Sequence, residues 1–72
     1  MKQAHINQQP IELYKILKLE ALVGSGGEAK AVIAQGLVTV NGVVELQKRK
    51  KIVAGDVISF NQDSMQVVLK GD

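Results

Sequence analysis

The sequence predicts an α+β fold: two N-terminal helices packed on one face of a small, mostly antiparallel sheet. Two observations carry that expectation. Apolar residues recur at helical spacing in the first half of the chain and at alternate positions in much of the second. The halves are separated by glycines, and the second half is punctuated by Asn-Gly and Gly-Asp turns.

In chain order, residues 3–6 (QAHI) alternate weakly and read as a short edge strand. Pro10 fits the first position of a helix, where its missing N–H costs nothing. Glu12 then stands in the first turn, where the helix dipole favours an anion. Leu13, Tyr14, Ile16 and Leu17 form an apolar face opposite Lys15 and Lys18, so a helix is expected over about 10–19. Gly24, Gly26 and Gly27 break it. Ser25-Gly26-Gly27-Glu28 has capping-box spacing, with the serine accepting from the N–H three residues on and the glutamate reaching back to the serine N–H. Ala29, Val32 and Ile33 give a second helix its buried stripe over about 26–35. Gly36 ends that helix in the left-handed conformation. Leu37 to Val40 read as a strand, Asn41-Gly42 as a type I′ hairpin turn, and Val43 to Leu46 as the return strand. Strands are also expected at 56–60 and 65–69, joined by a turn.

At 72 residues the chain is expected to form one domain, 1–72. It has no cysteine and one histidine, so no metal site is expected, nor any cofactor. Catalysis is poorly supplied. His5 lies near an end, Ser25, Ser59 and Ser64 have no histidine in register, and no carboxylate pair stands out. The glycine-rich GSGGEAK ends Gly27-Glu28-Ala29-Lys30, not the Gly-Lys-Ser/Thr of a nucleotide loop, and Glu28 repels a phosphate there. Contact with one phosphate of a polymer remains open. No apolar run approaches a membrane span, and the N-terminus does not read as a signal peptide, so a cytoplasmic monomer is expected.

Charge placement is the informative feature. Net charge is +2, yet four of nine cations, Lys48, Arg49, Lys50 and Lys51, lie in a row. With Lys15, Lys18 and Lys30 on outward helix faces, they would form a footprint for a nucleic-acid backbone. Tyr14 and Phe60, the only aromatics, both fit core positions. Base stacking is therefore not expected to dominate, which favours phosphate and shape recognition of structured RNA.

Residues 11–60 resemble the S-four-like RNA-binding domain, also called the alpha-L motif. The resemblance rests on Leu13 and Leu17, Glu28-Ala29-Lys30 and Ile33, Gly36-x-Val38-x-Val40-Asn41-Gly42, and Gly55-Asp56-Val57-Ile58. It implies a non-catalytic binder of structured RNA, such as ribosomal RNA or tRNA, with contacts on the two helices and on the loop after the hairpin. Carried over by position, Lys30 matches the basic residue after the family's Glu-Ala, and Lys48, Arg49, Lys50 and Lys51 fall in the loop before the Gly-Asp turn. The outward Lys15 and Lys18 and the backbone of Ser25, Gly26 and Gly27 complete the expected RNA-binding surface. Ser25-Gly26-Gly27 stands where the family often has Ser-Arg-Ser, so that cation is missing, and either backbone N–H groups replace it or affinity is lower. Ala54 stands where proline is usual. Two other readings compete. One is an interaction module for an acidic protein partner. The other is a ubiquitin-like sulfur carrier, against which the helix–helix opening and the ending Lys70-Gly71-Asp72 both speak.

Overall fold

Alternating burial along the strands decides where the helices lie. The computed structural model describes residues 1–70; the Gly71-Asp72 ending lies outside the described residues. The elements are β1 (Lys2–Ile6), β2 (Ile11–Glu12), α1 (Leu13–Leu19), α2 (Gly26–Ala34), β3 (Val38–Val40), β4 (Val43–Val44), β5 (Lys51–Ile52), β6 (Val57–Phe60) and β7 (Asp63–Leu69). Ala4 and Ile6, Val38 and Val40, Ile58 and Phe60, and Met65 and Val67 alternate with more exposed residues, and all eight are buried. Leu13, Ile16 and Leu17 of α1 and Ala29 and Ile33 of α2 join the same core, as do Val23 and Ile52.

Two helices and a mostly antiparallel sheet are present, but the helices are not the first elements. Two strands precede them. The five-stranded sheet runs β1-β7-β6-β3-β4, and β1 pairs parallel to β7, which makes the sheet mixed. A separate ladder joins β2 antiparallel to β5 through Ile11↔Ile52 and Glu12↔Lys51.

That ladder explains why α1 begins at Leu13 rather than at Pro10. Residues 11 and 12 are extended to pair with β5, so Pro10 lies before the helix and Glu12 becomes its N-terminal flank. Glu12 makes no side-chain cap. Instead the N–H groups of Leu13 and Tyr14 donate to the carbonyls of Lys50 and Lys48, each at 3.0 Å. Two of the first-turn donors that a helix cannot satisfy internally are thus met by the basic loop.

The glycines do not end α1 either. The N–H of Ala21 donates to the Lys18 carbonyl and that of Leu22 to the Leu17 carbonyl, while Ala21 takes φ 59°. This is a Schellman closure with alanine at the left-handed position. Helix α2 closes in the same way at Gly36, φ 76°, where Gly36 N–H donates to Ile33 and Leu37 N–H to Val32. Its start follows the serine half of the expected box, since Ser25 Oγ accepts from Glu28 N–H at 3.1 Å. The Glu28 carboxylate, however, accepts from the N–H of Gly24 at 2.7 Å, one residue before the serine. Val32 is only partly buried.

The hairpin turn has positive φ at both positions, 54° at Asn41 and 84° at Gly42. The return strand is shorter than expected, with only Val43 and Val44 paired to β3. Asn41 also ties the hairpin to the Gly55-Asp56 turn. Its Nδ2 donates to Asp56 Oδ1 at 3.0 Å, and its Oδ1 accepts from Val57 N–H at 2.8 Å. The other Asp56 oxygen accepts from Val53 N–H at 3.0 Å.

Two substitutions near the helix junction test this account with opposite signs. Ser25→Ala removes the α2 cap and is expected to cost about 1 kcal/mol. Ala21→Gly relieves an alanine held in left-handed backbone and is expected to gain about 0.5–1 kcal/mol, after the greater unfolded-state freedom of glycine is deducted. Urea denaturation of the two variants beside the parent measures both.

Candidate nucleic-acid interface

The basic loop faces outward because its main chain is turned inward. The Lys48 and Lys50 carbonyls accept from α1, and Lys50 N–H donates back to the Gln47 carbonyl at 3.1 Å. The loop entrance is fixed by Gln47 N–H donating to Glu45 Oε2 at 3.0 Å. All four cations of residues 48–51 are exposed.

Their surroundings differ. Lys48 and Arg49 line a groove of about 500 Å³ with Lys30 and Ala34 of α2 and with Leu46 and Gln47. A second groove, about 380 Å³, is lined by Ile11, Tyr14, Lys15, Lys18, Leu19 and Gly26. Lys50 and Lys51 line neither groove. Lys51 lies in β5, opposite Glu12.

Tyr14 lines the second groove and is partly buried, packed against the core rather than enclosed in it. The Lys30 ammonium lies over its ring, 4.8 Å from the centroid, and the Lys15 ammonium lies 5.9 Å away. Contacts of this kind contribute about 0.5–1 kcal/mol at exposed sites, enough to bias a lysine but not to immobilise it. Tyr14 sits at the border of the apolar stripe, with buried Leu17 and exposed Lys18 three and four residues on. That border position is the signal in the sequence that the core assignment overlooked.

One anion sits among these cations. Glu12 Oε1 is 3.3 Å from Lys15 Nζ, and Glu12 Oε2 is 4.0 Å from Arg49 Nε. Both cations are more than half exposed, at 54% and 67%, so water screens these pairs and each contributes at most about 1 kcal/mol. Neither cation is committed to Glu12. Ser25 uses its hydroxyl as a cap. Gly26 and Gly27 occupy the first positions of α2, whose N–H groups have no acceptor within the helix. A Cβ added at Gly26 would meet nothing within 4 Å, so the fold itself does not demand glycine there. Among the described residues no cluster of metal-ligating side chains is present, and no helix is long and apolar enough to cross a membrane.

A helix pair set on a small mixed sheet, with a basic loop clipped to the first helix, defines an α+β module of the alpha-L type. Residues 4–68 match the S4 domain, and the chain belongs to that family. The YbcJ protein of Escherichia coli (strain K12) is 53% identical over 58 residues, which cover 81% of this chain and 83% of that protein. The YbcJ of Shigella flexneri matches with the same figures. The solution structure of Escherichia coli YbcJ, which reveals an alfaL motif involved in RNA-binding, superposes with a TM-score of 0.72 at 48% identity. That superposition covers 94% of this chain and 87% of the other. The 30S ribosomal protein S4e of Thermoplasma acidophilum superposes with a TM-score of 0.61 at 29% identity, covering 81% of this chain and 31% of that one.

Because carbonyls rather than charged side chains anchor the loop, stripping its charge should leave the fold intact. The double change Lys48→Ala/Arg49→Ala is expected to alter stability by less than about 1 kcal/mol in all, the sum for two exposed sites. Denaturant midpoints of the variant and parent check this.

Proposed function

We propose that the chain is a non-catalytic RNA-binding module that grips structured RNA through the rim of these two grooves. The observation that carries this reading is the meeting of Lys30 from α2 with Lys48 and Arg49 from the basic loop around one groove. Three cations from two separate segments converge there, with Lys15 and Lys18 on the adjoining groove. The likeness to a YbcJ structure whose motif is involved in RNA-binding supports the same reading.

The mechanism is phosphate neutralisation with release of counterions. Each phosphate so contacted contributes a slope of about −0.7 to −0.9 to the log–log dependence of affinity on salt. Arg49 can hold a phosphate with two parallel hydrogen bonds, which a lysine cannot. The open backbone at Gly26 and Gly27 leaves room for a phosphate to approach α2 amides where relatives of the family place a cation. Lys50 and Lys51 complete the surface as solvated charges, contributing to the field more than to defined contacts.

Salt titration of binding to a folded tRNA or ribosomal RNA hairpin tests this. Lys48→Ala/Arg49→Ala is expected to reduce the slope by about one to two units. Lys50→Ala/Lys51→Ala is expected to reduce it less. Equal slopes for the parent and both double variants would make the run a solvated loop and sink the reading.

A further inference from the structure

Spacing in the sequence places Tyr14 in the core, which would leave the chain without a stacking surface. The structure packs this ring against the core yet leaves part of it on the wall of the second groove. The other apolar walls are Ile11 and Leu19, and Leu19 is 67% exposed. Two ammonium groups, Lys15 and Lys18, border the same groove. Lys15 leans toward Glu12, whereas Lys18 has no ion-pair partner among the described residues. Lys30 lies over the ring but lines the first groove and not this one.

An aromatic and aliphatic slot with cations at its edge matches the two halves of a nucleotide, a flat base and a phosphate. At about 380 Å³ the groove is of the size that holds small molecules. Bases inside a duplex present no face to a protein ring, so the occupant must be unpaired. We propose that this groove seats one unpaired nucleotide of the bound RNA, its base stacked on Tyr14 between Ile11 and Leu19 and its phosphate held by Lys15 and Lys18. The proposal rests on the RNA-binding reading above and refines it. Recognition then goes beyond charge, and a helix with an extruded nucleotide is preferred over a perfectly paired one.

Tyr14 is the single tyrosine of a chain without tryptophan, so the protein's fluorescence comes from this one ring. Three RNA hairpins serve as probes: one with a single bulged adenosine, one fully paired, and one with an abasic residue at the bulge. The bulged hairpin is expected to quench Tyr14 and to bind about tenfold more tightly than either of the others, the scale of one base–aromatic stack. Tyr14→Phe keeps the ring and should keep the preference. Tyr14→Leu fills the same apolar space and should abolish the preference while retaining binding to the paired hairpin. Equal affinity of the parent protein for all three hairpins, without quenching, would overturn the proposal and leave RNA binding standing. A uniform loss on all three with Tyr14→Leu would also overturn it, since the ring would then merely position Lys30. Stronger quenching by a glutamate- and leucine-rich peptide than by the bulged hairpin would assign the groove to a protein ligand instead. Binding to none of the hairpins would remove both this proposal and the reading beneath it.

Discussion

Two backbone hydrogen bonds, Leu13 N–H to the Lys50 carbonyl and Tyr14 N–H to the Lys48 carbonyl, hold the arrangement together. A seven-residue helix is too short to be stable alone, and its exposed first-turn donors add to the cost. The loop supplies acceptors for them and gains in return a fixed path across the helix start. The β2–β5 ladder continues the same seam, and Ile52 anchors it in the core with no exposure. A stretch of four cations that repel one another is thereby held next to two cation-bearing helices. Without that seam the run 48–51 would be a tethered polyelectrolyte with no defined address.

The electrostatics follow from this anchoring. A loop held by salt bridges would have spent its cations on internal acids. Here the main chain does the holding, and the described cations share just Glu12 between Lys15 and Arg49. Those pairs are weak enough for a phosphate to displace. A net charge of +2 therefore understates the local field, because the seven acids are dispersed while four of nine cations are consecutive.

What could be read from the sequence was local in origin. The Ser25 cap, the left-handed Gly36 and the Asn41-Gly42 turn each depend on a few neighbouring residues, and each is present. Ala21 could not be read, because nothing about alanine announces a left-handed backbone. The β1–β7 pairing was hidden for another reason: it joins residues more than sixty positions apart. Pro10 misled because a helix start and a short strand make the same local allowance for a missing N–H. Two of the four motifs that carried the family resemblance have a structural basis that spacing alone did not reveal. Asn41 and Asp56 are bonded to each other, which explains why an Asn-Gly and a Gly-Asp fifteen residues apart occur together. In the site, Lys30, Lys48 and Arg49 were legible as charges, whereas Leu46 and Gln47 emerge only when α2 and the loop are set side by side.

The parallel pairing of β1 with β7 also bears on how the chain assembles as it is made. Strand β1 is made ahead of the sheet's other strands, yet its neighbour β7 is made after all of them. Until Met65 and Val67 arrive, Ala4 and Ile6 have no sheet partner, and β6 lacks one of its two neighbours. The helix pair and the β3–β4 hairpin can form earlier from local contacts, but the sheet must wait for a closure of high contact order. A nascent chain halted near residue 60 would carry its basic loop while its sheet was still open. Translation thus imposes an order in which a consecutive run of cations exists before the fold that positions it is complete.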